Sequence, residues 1–210
     1  MSSASDRIIA LYEQNAEAWD RQRGRDLFER PWLDRFVACL PGGGAQVLDA
    51  GCGMGEPIAR YLIERGVRIT GVDSSPSLVA KAQARFPQER WLVVDLRDLD
   101  LGCDFEGIIA WHSLIHLIPA DQEVAIGRLA AHLRPGGFLI FTSGHEAGEV
   151  PGRWQGEELY HASLDPEQYR ELLEGHGLTI LDHRLSDPDC GSATVWLAQM
   201  SPASGLDGSA

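Results

Sequence analysis

The chain has 210 residues, 44% of them hydrophobic, which suits one sizeable domain with its own core. Its formal net charge of -13 repels nucleic-acid phosphates, and no basic stripe with interleaved aromatics offsets it, so no nucleic-acid partner is expected. No run is apolar enough to cross a bilayer, the segment MSSASDRIIALYEQNAEAW has charges throughout, and Cys39, Cys52, Cys103 and Cys190 form no CxxC pair; the expectation is a cytoplasmic protein with no membrane partner, no disulfide framework and no metal site.

Apolar residues at helical spacing run from Asp6 to Trp19, and Pro31 to Leu40 reads as a second helix ended by Pro41-Gly42-Gly43-Gly44. Strands and helices then alternate. Gln46–Ala50 predicts a strand, Glu56–Arg65 a helix closed by Gly66, and Val67–Val72 a strand ending at Asp73. Ser75-Pro76 opens a helix to about Phe86. Trp91–Val94 and Gly107–Trp111 predict strands, Asp121–Leu133 a helix stopped by Arg134-Pro135-Gly136-Gly137, and Phe138–Thr142 a strand. A polar loop, Gly144 to Asp165, follows. Pro166–His176 is a helix with Asp165 as N-cap and Gly177 past its end. Leu178–Leu185 and Ala193–Ala198 are strands joined by six turn-type residues, as in an antiparallel return. The alternation predicts an α/β, doubly wound, mostly parallel sheet with one antiparallel strand near its edge.

The most informative stretch is VLDAGCGMGEP. An apolar strand ends in Asp49, Gly51, Gly53 and Gly55 follow on alternate positions, and a helical pattern begins. Such a strand–turn–helix holds a nucleotide-like cofactor at the carboxyl ends of a parallel sheet. Asp73 lies about twenty residues beyond the glycines, where a carboxylate accepts both ribose hydroxyls. Asp95, one strand further, can accept from an adenine amino group. A dinucleotide fits the first two features. Its diphosphate does not suit a loop flanked by Asp49 and Glu56, the spacing is GxGxG rather than GxGxxG, and no P-loop lysine is present. Two acids beside the glycines favour a ligand with positive charge there.

With RITGVDSSPSL, WLVVDLRDL, GIIAWHSLIHL and LRPGGFLIFTSG in order behind it, this motif resembles the class I S-adenosylmethionine-dependent methyltransferases, over roughly Tyr12 to Leu197. The resemblance implies a Rossmann-like seven-stranded sheet of order 3-2-1-4-5-7-6 with strand 7 antiparallel, S-adenosylmethionine as cofactor and S-adenosylhomocysteine as product. It implies that Gly51, Gly53 and Gly55 underlie the methionine moiety and Asp49 orients its ammonium. Asp73 with Ser74 would hold the ribose, Asp95 and the Leu96 backbone would read adenine, and Trp111 and His112 would flank the sulfonium.

Methyl transfer is an in-line displacement from an excellent leaving group, so positioning dominates. A base is needed only where the acceptor must lose a proton. The candidate catalytic groups are His112, His116 (four residues on, on the same face if that stretch is helical), Tyr160 as a polar orienter, and His161; His145 is a further imidazole. The loop Gly144–Asp165 is expected to wall the acceptor site through Arg153, Tyr160 and His161, and the N-terminal helix, with Tyr12 and Trp19, to fold over the cofactor as a lid. The expected layout is one domain over 1–200, with a helical lid at 1–40, the substrate-side loop at 144–165 and a loose tail at 201–210. AWHSLIH after the fourth strand lacks the Asn/Asp-Pro-Pro-aromatic of base-amine and glutamine methyltransferases, so the expected partner is a small-molecule methyl acceptor of an enzyme acting as monomer or homodimer. Two alternatives stay open, a nicotinamide-dependent oxidoreductase and a non-catalytic cofactor-binding protein on the same fold.

Overall fold

The computed structural model describes residues 3–203. Ser3 caps the first helix, α1 (Ala4–Gln14), in a reciprocal capping box with Asp6. The helix expected over Asp6–Trp19 is two helices. Asn15 leaves helical geometry, its amide donating back to the Leu11 carbonyl at 2.9 Å, and α2 (Ala16–Gln22) begins at the next residue. Next come α3 (Arg30–Cys39), β1 (Gln46–Ala50), α4 (Ile58–Ile63), β2 (Arg68–Asp73), α5 (Pro76–Arg85) and β3 (Arg90–Val93). They are followed by β4 (Phe105–Ala110), α6 (Pro119–Ala131), β5 (Leu133–Ser143), β6 (Gly148–Trp154) and β7 (Glu157–Ser163). The chain finishes with α7 (Pro166–Gly175), β8 (Leu178–Asp187) and β9 (Ala193–Met200).

Seven strands form one sheet in the order β3-β2-β1-β4-β5-β9-β8. Every pair is parallel except those of β9, antiparallel to both β5 and β8. This is the 3-2-1-4-5-7-6 order expected. Parallel strands bury both faces, and alternate side chains divide accordingly: Val47 joins the core under α3 and α4, while Leu48 joins the core under α6 and α7.

Two expectations are corrected. Arg134 to Gly137 do not lie outside the sheet, because β5 already pairs with β4 at Leu133↔Phe105, with an irregularity before Phe138. The segment 144–165 is no loop. β6 and β7 pair from Gly148↔Ser163 to Trp154↔Glu157 as an antiparallel hairpin outside the main sheet. Its polar, glycine-rich composition hid it, since one face is solvated and the other packs on α1. Asp165 caps α7 as expected, and Gly177 takes a positive φ past its end. The tail expected after Met200 lies, from residue 204, outside the described residues.

Candidate active site

The carboxyl ends of β3, β2, β1 and β4 carry Asp95, Asp73, Asp49 and His112 in that spatial order. Three inter-strand steps separate the outer two, about 14 Å. A cavity of about 450 Å³ opens along this edge, within the range of small-molecule sites. It is lined by Gly51, Gly53, Asp49, Asp73, Ser74, Asp95, Leu96, Trp111, His112, His116 and His161, and from above by Tyr12 and Trp19.

Asp73 links sequence to site most directly. Its Oδ2 accepts the Gly53 N–H at 2.9 Å and its Oδ1 accepts the Ser75 N–H at 2.9 Å. One carboxylate thus pins the glycine turn to the start of α5. Asp49 differs: only 4% of its surface is exposed, and no side chain pairs with it among the described residues. Burial, reinforced by the neighbouring Asp73 charge, pushes its carboxyl up to about 7. Two carboxylates thus act on each other here, and among the described residues no Lys or Arg pairs with the Asp49 side chain.

Gly51 has φ +88, and a methyl group there would overlap Ser113, whose hydroxyl donates to the Ala50 carbonyl at 2.7 Å. The turn is thereby pressed against the loop after β4. At Gly53 a Cβ would stand 3.6 Å from the Trp19 indole nitrogen, so α2 lies directly over the turn. Gly55 does not line the cavity. Its φ is +77 and a Cβ there would stand 2.9 to 3.2 Å from the Phe86 and Trp91 rings, so it shapes the turn rather than receiving a ligand. Glu56 is at the cavity, but its charge is already met by Arg25 at 2.6 Å and by Arg60, which corrects the expectation that it supplies free negative charge.

Asp95 keeps its place, and its carboxylate is engaged. Arg97 donates to it from the backbone at 2.9 Å and from its guanidinium at 2.7 Å, and the same guanidinium reaches Asp6 of α1 at 2.8 Å. The Arg97 guanidinium holds the Asp95 carboxyl below the usual range against the opposing effect of burial. The sequence pattern did not single out Arg97. Its signal, an arginine two residues after the third strand's aspartate, has meaning only once α1 is packed across that strand end.

The three imidazoles expected near the acceptor do meet, by a different route. Residues 112 to 116 are not α-helical: His112 has φ +52 and only Leu114–His116 form a short 3-10 turn. The His116 and His161 rings lie tilted against each other with centroids 4.9 Å apart. Its Nδ1 lies 3.1 Å from the Tyr160 carbonyl, which can only accept, so Nδ1 carries the proton and Nε2 accepts from the Tyr12 hydroxyl at 3.1 Å. His112 is fixed by Thr142, whose Oγ1 accepts the His112 backbone N–H at 2.8 Å and lies 3.3 Å from Nδ1. Burial pushes His112 and His116 down to about 4, and burial lowers His161 as well. At neutral pH all three rings are uncharged.

Tyr160 is corrected. Its side chain is buried with Ile8 and Leu11 under α1 and does not line the cavity; only its carbonyl serves the site, through His116. Arg153 and His145 are exposed and off the cavity, the latter 3.5 Å from Glu146. The hairpin contributes His161 and Leu159 to the wall and Trp154 to a roof. Tyr12, Trp19 and Trp154 contact one another at 5.3 to 5.7 Å, and the Trp154 indole donates to Gln22 at 2.9 Å.

These residues fit a ligand with adenosine at one end and positive charge at the other. The unpaired Asp49 and the aromatic roof both favour a cation, while a diphosphate over Gly51 and Gly53 would meet the Asp49 and Asp73 carboxylates.

A family model described as a methyltransferase domain matches residues 47–137. The chain is 34% identical over 166 residues to trans-aconitate 2-methyltransferase of Azoarcus sp. (strain BH72), covering 72% of this chain and 61% of that relative's length. It is 33% identical over 203 residues to malonyl-[acyl-carrier protein] O-methyltransferase of Serratia marcescens, covering 90% and 77%. A solved 1,6-didemethyltoxoflavin-N1-methyltransferase from Burkholderia thailandensis, with bound 1,6-didemethyltoxoflavin and S-adenosylhomocysteine, superposes with a TM-score of 0.72 at 23% identity over 96% of this chain and 92% of its own. The chain belongs to the class I S-adenosylmethionine-dependent methyltransferases. The named relatives lend no support to the oxidoreductase alternative. Among the described residues no helix is long and apolar enough to cross a membrane.

Proposed function

We propose that this protein methylates a small-molecule acceptor, with S-adenosylmethionine bound across the ends of β3, β2, β1 and β4. When bound, the cofactor supplies an electrophilic methyl group on a sulfonium. Asp95 and the Leu96 backbone face its adenine, and Asp73 with Ser74 its ribose. Gly51 and Gly53 let the methionine lie on the backbone, and Asp49 receives the ammonium. His112, His161, Tyr12 and Trp111 form the acceptor wall. The observation that carries this reading is Asp49, a buried carboxylate without a partner beside a second carboxylate; such a group is costly unless a cationic ligand occupies the site.

The N-terminal helices act as a lid. Glu13 accepts from the Ser75 hydroxyl at 2.5 Å and the Ser77 N–H at 3.0 Å, Asp20 meets Arg85 at 2.6 Å, and Asp6 meets Arg97 at 2.8 Å. All three contacts tie α1 or α2 to the cofactor side of the sheet, so ligand entry requires them to part. The net acidity and the cavity of about 450 Å³ support a small acceptor rather than a nucleic acid, with the protein working as a monomer or homodimer. Isothermal titration with S-adenosylhomocysteine and with NADH tests the cofactor. A panel of carboxylic acids, phenols, amines and thiols, read by S-adenosylhomocysteine release, tests turnover. Tight NADH binding with indifference to S-adenosylhomocysteine would reverse the assignment, and cofactor binding without turnover across the panel would leave a non-catalytic binding protein.

A further inference from the structure

The acceptor wall offers hydrogen-bond donors and few proton acceptors. Both nitrogens of His116 are committed, Nδ1 to the Tyr160 carbonyl and Nε2 to the Tyr12 hydroxyl. Thr142 is fully buried and its Oγ1 already accepts the His112 backbone N–H, so its own hydrogen has the His112 Nδ1 as its partner among the described residues. That leaves the His112 proton on Nε2, the remaining ring nitrogen of a residue that lines the cavity. His112 is therefore a donor in its resting state, not a base.

One guanidinium completes the wall. Arg23 is the single Lys or Arg among the residues lining the cavity. It sits one helical turn beyond Trp19, its backbone N–H donating to the Trp19 carbonyl at 2.8 Å. Behind it stands Glu29, wholly buried, whose Oε1 accepts from Arg23 at 2.6 Å and whose Oε2 has no partner. A carboxylate buried for one contact is costly, and what it achieves is to hold a guanidinium in one place. The Arg23 charge reaches into the cavity, where it bears on His112 and Tyr12.

We propose that the acceptor carries a carboxylate, held as an anion by Arg23 and the His112 Nε2–H, and that the methyl group goes to an oxygen of that carboxylate without a general base; Glu29 is the positioning residue for Arg23. This inference rests on the methyltransferase reading above. In the step, one carboxylate oxygen forms a bond to the methyl carbon while the carbon–sulfur bond breaks and leaves its electron pair on sulfur. A methyl ester and a neutral thioether result, and no proton moves. The second carboxylate oxygen remains free to accept from the guanidinium, whose fork geometry suits it.

The test uses the full chain saturated with S-adenosylhomocysteine. Phenylacetate, 4-hydroxybenzoate and trans-aconitate are titrated calorimetrically, each against its neutral carboxamide. The expected result is that at least one acid binds about tenfold or more tighter than its amide. Arg23→Gln should erase that preference with amide affinity unchanged. Glu29→Gln should weaken the acid and leave S-adenosylhomocysteine binding as it was. Since either single change strands a buried group, the double variant Arg23→Gln/Glu29→Gln, which removes both charges together, repeats the measurement in a fold with no orphaned ion. With S-adenosylmethionine, mass spectrometry should find a base-labile methyl ester on the acid. Failure of every acid to outbind its amide would overturn the proposal, as would a methylated phenol with the carboxylate free. A further result would reassign Arg23 to the cofactor's own carboxylate and also overturn it: weakened S-adenosylhomocysteine binding in Arg23→Gln, with 5′-methylthioadenosine and the acids unaffected. Should S-adenosylhomocysteine itself fail to bind the wild type, the failure belongs to the methyltransferase reading and not to the acceptor.

Discussion

Neutralising Asp49 should stabilise the empty protein and at the same time uncouple cofactor binding from pH. In the unfolded chain an aspartate titrates near its ordinary value of about 3.9. In the fold, burial and the Asp73 charge push Asp49 up to about 7. Between those values the native state binds more protons than the unfolded state, so stability falls as pH rises and the loss is complete above the folded pKa. A shift of roughly three units at about 1.4 kcal/mol each amounts to about 4 kcal/mol, reduced because Asp73 shares the titration. Asp49→Asn removes the ionisation, so the variant should gain on the wild type from pH 5 to about pH 7 and level off by pH 8, measured by chemical denaturation without cofactor. Binding runs the other way. The ammonium pairs with the ionised carboxylate, so wild-type Kd for S-adenosylhomocysteine should tighten about tenfold from pH 6 to pH 8, with proton release visible as a buffer-dependent heat at pH 7. In the Asn variant the Kd should be weaker and level across that range. A wild-type Kd that is level from pH 6 to pH 8, or a stability gap between variant and wild type equal at pH 5 and pH 8, would refute a buried, unpaired Asp49.

Gly51→Ala forces a residue with φ +88 to carry a methyl group into Ser113, so unfolding should come at least about 2 kcal/mol easier and S-adenosylhomocysteine affinity should drop; a variant of wild-type stability would show the turn is not so tightly seated. Arg97→Gln should weaken S-adenosylhomocysteine and speed its release, because one substitution frees Asp95 and detaches Asp6 of the lid, and stopped-flow tryptophan fluorescence reads both rates. Since the lid is tied by ion pairs, raising salt from 0.05 to 0.5 M, roughly a threefold shortening of the Debye length, should speed release in the wild type; salt-independent release would mean the contacts stay closed. The C2–H resonances of His112 and His116 should shift with midpoints near pH 4, and a midpoint above 6 for either would place a charged imidazole in the cavity.

The fold was legible because its signals are local. Alternating strand and helix patterns, each closed by Gly, Pro or an aspartate, permit few topologies, and right-handed crossovers reduce these to one family of sheets. Asp49, Asp73, Asp95 and His112 could be placed because each stands at the end of a strand, a position that sequence marks directly. The hairpin of β6 and β7 was illegible because it belongs to no main sheet and buries only a few side chains. Tyr160 and His161 illustrate the limit. Adjacent residues of one strand point to opposite faces, and the residues alone do not say which face meets the cavity.

What the sequence alone determined is the platform: the doubly wound sheet, the glycine turn, and the row of acids at the strand ends. Tertiary structure decided the rest. Only packing shows that Arg25 and Arg60 neutralise Glu56, that Arg97 bridges Asp95 and Asp6 of α1, and that Thr142 and Tyr160 set the tautomers of His112 and His116. The reason is physical. A strand end is a property of a few neighbouring residues, whereas the charge a side chain finally presents depends on partners dozens of residues away, and those meet only after the core has formed.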